Sequence, residues 1–201
     1  LVFKGGTPCV AATSPGRMGP GHILPTSVTY PSLDEFPDSC PLAILAVPSG
    51  AVRDVTKHIK GSLVIAIASK GLDAISGSGL SEVVASVAPS SKLVALSGPN
   101  LAVELAQGIP TVAVAASPDN ESAEKVRSLF MSKNYRIYTS SDMRGVELAG
   151  SLKNVMAIAA GLSDGLGYGD NTKGALLARG LNEMARIGLK LGASVATFLG
   201  I

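Results

Sequence analysis

From residue 41 onward, short apolar runs alternate with amphipathic ones, the pattern of β-α units built on a largely parallel sheet. Strands are predicted near 42–47, 62–68, 93–97, 111–116 and 135–139, with helices near 50–59, 78–88, 100–107 and 119–131. "LAILAVP" at 42–48 and "SLVIAIAS" at 62–69 are apolar without alternation. A strand of that kind has both faces covered, so these two should lie at the centre of the sheet. At about residue 140 the pattern changes. "TSSD" at 139–142 fits a capping box before a helical stretch of 142–164. "GLGYGDNT" then breaks the helix, and Asp170, Asn171 and Thr172 are candidate caps for a second one over 171–192. An α/β unit over 1–140 thus hands over to an all-helical one over 141–201. The first two dozen residues are Gly/Pro-rich with little periodicity, and no internal repeat is present.

Within the first long helix, "AGSLKNVMAIAAG" at 149–161 carries a single lysine, Lys153. Its neighbours three and four positions away are Ala149, Gly150, Met156 and Ala157, so no carboxylate stands at helical pairing distance. Such a lysine can snorkel to water. If instead another element closes over these small neighbours, the ammonium is desolvated, its pKa falls, and it can exchange a proton near neutrality.

Composition removes several alternatives. Hydrophobic residues make up 46% of 201 residues and mean hydropathy is +0.36, yet no apolar run approaches the roughly 20 residues that span a bilayer. Net charge is +2, no two Lys or Arg are adjacent, and Trp is absent, which argues against a nucleic-acid partner. Cys9 and Cys40 lack metal or CxxC spacing, and no secretory signal opens the chain, so a reducing, cytoplasmic setting is expected. His22 and His58 are isolated and read as surface histidines, leaving no metal site or Ser/His/Asp set.

In open parallel sheets, ligands collect beyond the carboxyl ends of the strands. "LAVPSG" brings Pro48 and Ser49 to one such end, "AIASKG" brings Lys70 and Gly71 to the next, and "ALSGPN" brings Gly98, Pro99 and Asn100 to a third. Lys70 would set a positive charge in the crevice, or stand as a solvated turn lysine. Gly98 and Asn100 form a turn into a helix, where N–H groups and an amide meet an anion, or where Asn100 is simply an N-cap. No GxGxxG in strand-to-helix context is present: "GRMGPG" at 16–21 has the wrong spacing and "GLGYGD" at 165–170 lies between helices.

"LAVPS", "SKGLD", "LSGPNLAVELAQGIPT", "GVELAGSLKNVMAIAAGLSDGLGYGDNTKGALLARGLNEM" and "LGASVATFLG" follow one another in an order and spacing that resemble bacterial-type NAD(P)-dependent glycerol-3-phosphate dehydrogenases. The resemblance implies a partial Rossmann-like parallel sheet followed by the start of an all-helical C-terminal domain. It implies hydride transfer between NAD or NADP and the C2 carbon of sn-glycerol 3-phosphate or dihydroxyacetone phosphate, feeding glycerophospholipid synthesis. By the same resemblance Lys153 matches the lysine that handles the substrate hydroxyl proton, and Lys70 one that contacts substrate and cofactor. Gly98 and Asn100 match substrate-facing turn positions, Ala102 a position whose backbone approaches the cofactor, and Asn154 a supporting neighbour. NAD against NADP is left open, as is assembly into a homodimer.

Family members usually open with a strand and GxGxxG, and continue beyond "TFLG" into a segment with an Asp and an Arg-Asn pair. Neither lies within these 201 residues, so the expectation is a fragment with little activity of its own. "VPSGAV" also departs from the aromatic or His that often follows the Pro-Ser. Two further readings stand beside this one: another two-domain dehydrogenase acting on a hydroxy acid or alcohol without phosphate, and a non-catalytic module that assembles through its helical half.

Overall fold

The computed structural model describes residues 2–4, 7–9 and 41–199, with side chains described from residue 41 except at Ala106. "GRMGPG", His22 and Cys40 lie outside the described residues, and Cys9 closes the second strand. A seven-stranded sheet runs in the order β2-β1-β3-β4-β5-β6-β7. Its strands are β1 (Val2–Lys4), β2 (Thr7–Cys9), β3 (Leu42–Leu45), β4 (Val64–Ile67), β5 (Lys92–Ser97), β6 (Thr111–Ala116) and β7 (Tyr135–Ser140). The helices are α1 (Val52–Thr56), α2 (Leu80–Val87), α3 (Ala102–Ala106), α4 (Asn120–Phe130), α5 (Met143–Gly165) and α6 (Asp170–Lys190). The first two strands were not expected, because three-residue strands are too short to show a period.

The unbroken apolar runs are explained by the two faces of the sheet. Successive strand residues point to opposite sides. Leu42, Ile44, Val64, Ala66, Val94 and Leu96 form one core with Val126 of α4. Ala43, Leu45, Ile65 and Ile67 form a second, with Val52 of α1 and Leu80 and Val84 of α2. On that second side Val146 of α5 packs against Ala95 and Ala116. Helices α1, α2 and α5 therefore share a face of the sheet, opposite α4.

The sheet is largely parallel, as the sequence predicts, but one junction within it is reversed. β3, β4 and β5 are parallel, and β6 and β7 are parallel, but β6 runs antiparallel to β5 with Ser97 opposite Val114. The connection over 98–110 holds only the one-turn-length α3 and does not cross over the sheet. It is pinned at its base, where Asn100 Nδ2 donates to Val112 O at 3.0 Å and Thr111 Oγ1 donates to Pro99 O at 2.8 Å. Those bonds return the chain beside β5 in the reverse direction.

Two cap expectations are corrected. Helix α5 starts at Asp142, which accepts from Gly145 N at 2.9 Å, so the cap is one aspartate and not a reciprocal Thr139–Asp142 box. Helix α6 follows Gly169 with no side-chain cap, and Asp170 is its first residue. Its first turn is instead tied to α5 by Lys173 and Asp164 at 2.6 Å. Antiparallel packing of α5 on α6 encloses Leu148, Met184, Ala185, Ala193 and Phe198. A Cβ at Gly180 would displace the flexible end of Met156, and one at Gly188 would collide with the buried Phe198 ring, so Gly188 is the glycine that approach requires.

Asp142 does more than cap. Its Oδ2 also accepts from Ser194 N at 2.8 Å and Thr197 Oγ1 at 2.6 Å, fastening the 3-10 turn Val195–Phe198 to the start of α5. Burial alone would raise its pKa, but these three donors outweigh it and hold the carboxyl below its ordinary value. The carboxylate thus contributes stability above the ordinary carboxylate range, and loses it as pH falls through its folded-state pKa. Asp142→Ala is expected to cost about 2 kcal/mol, a fall in Tm on the order of 5 °C. Thermal melts should show that deficit at pH 7 and a narrower one below about pH 4.

Candidate active site

The parallel strands β3, β4 and β5 bring three loops to one edge of the sheet, as the sequence predicts. After β4, Ser69 is locked to the end of β3: its Oγ donates to Val47 O at 2.6 Å and accepts from Val47 N at 3.1 Å. Lys70 follows, then Gly71 at φ +116°, a backbone conformation that L side chains rarely adopt. A Cβ on Gly71 would lie 3.5 Å from Ser49, so the first two loops are neighbours. After β5 the chain turns at Gly98. A Cβ there would fall 2.5 Å from Val112 O and 2.8 Å from the Ala113 Cα, backbone atoms that cannot rotate away.

The Gly98 carbonyl is the meeting point. Lys70 Nζ donates to it at 3.0 Å, Lys153 Nζ at 2.8 Å, and Asn100 N at 3.0 Å. Lys153 thus reaches an oxygen 55 positions earlier in the chain, because α5 lies against the end of β5. The approach is set by small residues. Gly150, one turn before Lys153, is so near β5 that a Cβ would stand 2.6 Å from Ser97 Oγ. Val146, Gly150 and Lys153 form the helix face that meets the sheet.

This is the desolvating closure that the small neighbours of Lys153 allow. Burial lowers the Lys153 pKa, the adjacent Lys70 ammonium lowers it further, and together they bring it to about 8. Lys153 also lines an apolar cavity of about 450 Å³ with Gly98, Val112, Tyr138, Leu181 and Phe198. It is the only charged residue among those lining it. A second cavity of about 10 Å³, on the far side of Gly150, touches Lys70, Ser97 and Glu147.

Of the sequence-predicted residues, Lys70, Lys153 and Gly98 are brought into direct contact. Asn100 joins them through its backbone N–H; its side chain is spent on Val112 O, and the residue before α3 is Leu101, so the N-cap reading fails. Ala102 opens α3 and is exposed, outside the lysine contacts. Asn154, next to Lys153, is exposed on α5. Sequence reasoning missed Ser97, Gly150 and Glu147. Glu147 carries a readable signal, since it and Lys153 are the two charges in an otherwise uncharged stretch from 145 to 163.

The residues suit a dinucleotide's reactive end. A crevice at the carboxyl ends of parallel strands, a lysine inside it, and a glycine turn that leaves backbone open are what such a ligand requires. Among the described residues no cluster of His, Cys, Asp and Glu could hold a metal, and no helix is long and apolar enough to cross a membrane.

Known proteins agree with this layout. Residues 14–123 match the family described as NAD-dependent glycerol-3-phosphate dehydrogenase N-terminus, and residues 142–201 match its C-terminus. A glycerol-3-phosphate dehydrogenase [NAD(P)+] of Clostridium perfringens is 47% identical over 183 residues, covering 89% of this chain and 55% of the relative. One from Clostridium acetobutylicum is 43% identical, covering 92% and 57%. The crystal structure of glycerol-3-phosphate dehydrogenase from Coxiella burnetii superposes with a TM-score of 0.83 at 34% identity, covering 90% of this chain and 57% of that one. This chain spans about half the length of the curated relatives it matches. On the matched profiles, the shared sequence and the shared fold, the chain belongs to the NAD-dependent glycerol-3-phosphate dehydrogenase family.

Proposed function

We propose that this chain carries the proton-handling part of an NAD(P)-dependent dehydrogenase that interconverts sn-glycerol 3-phosphate and dihydroxyacetone phosphate. The observation that carries the reading is the convergence of Lys70 and Lys153 on the Gly98 carbonyl, with the Lys153 pKa at about 8. An alcohol cannot lose hydride from its carbon at low cost unless the oxygen loses its proton as well. The neutral Lys153 amine takes that proton during oxidation, and the ammonium returns it during reduction. Lys70 remains beside the reacting oxygen as a positive charge and favours the developing alkoxide. The Gly98 carbonyl orients both amines.

Lys70 and the backbone at Ala102 would hold the dinucleotide, by resemblance to the family. When bound, NAD(P) supplies or accepts the hydride. The division we assign is a Rossmann-like unit over 1–140 and the first part of a helical unit over 141–201. Cytoplasmic placement, homodimer assembly and a role in glycerophospholipid synthesis belong to the same reading and rest on the resemblance alone.

The chain by itself should turn over slowly. A phosphate dianion needs several donors or cations, and the large cavity beside Lys153 offers no second charge among its lining residues. Binding energy from the phosphate positions the carbon for reaction, so weak anchoring costs rate as well as affinity.

Oxidation of NADH and NADPH by dihydroxyacetone phosphate tests the reading, with this chain and with the chain extended to the length of its relatives. The extended protein should turn over, and Lys153→Ala should lower kcat by at least about 10²-fold. Turnover that survives that substitution, or a preference for substrates without phosphate, would sink the proposal. In kcat/KM, oxidation should rise with pH through about 8 and reduction should fall through the same value, because the two directions need opposite protonation states of one amine. Gly98→Ala should cost roughly 1–3 kcal/mol of stability, since the new Cβ meets fixed backbone. It should also move the kinetic pKa, which a substitution of equal cost elsewhere in the core would leave in place.

A further inference from the structure

We propose that Glu147 is a positioning residue for the Lys70–Lys153 pair: its carboxylate, seated on the first turn of α2, ties the segment that carries Lys70 to the helix that carries Lys153. The proposal rests on the reading of Lys153 given above.

Two lysines on one carbonyl repel each other, and something must hold their elements together. Glu147 lies on α5, nearly two turns before Lys153, and reaches sideways to α2 on the same face of the sheet. Its Oε1 accepts from Ser81 N at 2.8 Å and its Oε2 accepts from Ser81 Oγ at 2.5 Å. Helix α2 follows Gly79 and has no side-chain cap of its own, so the carboxylate of another helix satisfies one of its free N–H groups. Gly79 leaves room for it, since a Cβ there would stand 3.0 Å from Glu147 Oε2.

From Ser81 the constraint passes back to Lys70 in short steps. Gly79 bridges to Leu72, and Asp73 N donates to Ser78 O at 2.9 Å. Asp73 also accepts from Ser76 N and Oγ, at 3.0 and 2.7 Å, and pairs with Arg53 at 3.7 Å. The segment 72–79 is therefore a closed loop that moves with the start of α2, and Lys70 lies two residues before it. On the other side, the gap between Glu147, Lys70, Ser97 and Gly150 measures only about 10 Å³. Elements packed that closely cannot shift independently.

Position and not charge is the means. The groups facing Glu147 are Ser81 and Glu82 on α2, Arg144 on its own helix, and Lys70 across the small gap. Burial raises the Glu147 pKa, the Ser81 hydrogen bonds oppose that rise, and the causes that lower the Lys153 pKa do not include Glu147.

A glutamine can keep both bonds, accepting from Ser81 N and donating to Ser81 Oγ. An alanine keeps neither. The test is the pH dependence of Lys153 amine acylation, read by mass spectrometry on the folded protein, which needs no turnover. Wild type should titrate near 8. Glu147→Ala should move the midpoint upward by about one unit, as Lys70 and Lys153 separate and water enters. Ser81→Ala should move it the same way by less, and it decides the matter alone if Glu147→Ala does not fold. Glu147→Gln should restore most of the wild-type value. In the protein extended to its relatives' length, Glu147→Ala should lower kcat about tenfold with a smaller change in KM.

Midpoints unmoved by Glu147→Ala or by Ser81→Ala overturn the proposal, as does a Glu147→Gln shift as large as that of alanine. A wild-type Lys153 that titrates at its ordinary value instead overturns the proton-handling reading itself, so the two failures are distinct.

Discussion

The arrangement depends on a crowding of positive charge that only backbone geometry makes tolerable. Two lysine amines donate to the carbonyl oxygen of Gly98, and burial together with the Lys70 ammonium raises the cost of keeping Lys153 protonated. In water such a pair would part, since each ammonium is better solvated alone. Here the loop after β4 and the helix α5 are both fixed by contacts other than those of the two lysines. Ser69 binds the one to β3, while Val146 and Gly150 seat the other on β5. The lowered Lys153 pKa follows from that rigidity. The fold holds the amine where protonation is unfavourable, and makes it a base near neutrality.

Glycine at 98 and 150 is what permits the geometry, for two different reasons. At Gly98 the β5–β6 turn brings Val112 O and the Ala113 Cα into the space that a side chain would occupy. At Gly150 the helix itself comes down on Ser97. A larger residue at the second place would lift α5, and with it Lys153. The same economy recurs where α6 meets the 3-10 turn at Gly188. The helical unit is assembled by close approach as much as by hydrophobic bulk.

Much of this was legible in the sequence, and the limits have physical causes. Unbroken apolar runs identify β3 and β4 as central strands, because a doubly covered strand has no polar face to show. The small neighbours of Lys153 left both a solvated and a closed face open, and Lys70 and Gly98 were placed at strand ends. What periodicity could not reveal is strand direction: β6 reads as the same apolar strand whether parallel or antiparallel, and only the bonds of Asn100 and Thr111 decide. The carboxylate of Glu147 stands in plain view as the one acid between 145 and 163. Its partner lies 66 positions earlier in the chain, a pairing that a local pattern does not record.

The contacts around Lys153 are concentrated in a limited part of the fold. The contacts that set the two amines come from β3, β4, β5, the start of β6, the start of α2 and the first half of α5. The later half of α5 contributes little to any core: Val155, Ile158 and Leu162 are more than 60% exposed. The convergence of Lys70 and Lys153 on Gly98 O is thus a property of the junction between sheet and helix, fixed by short-range packing. On the proposed reading, a substrate phosphate would need charges beyond Lys153, the one charged residue lining the apolar cavity, and such charges are costly to desolvate beside two lysines already crowded together.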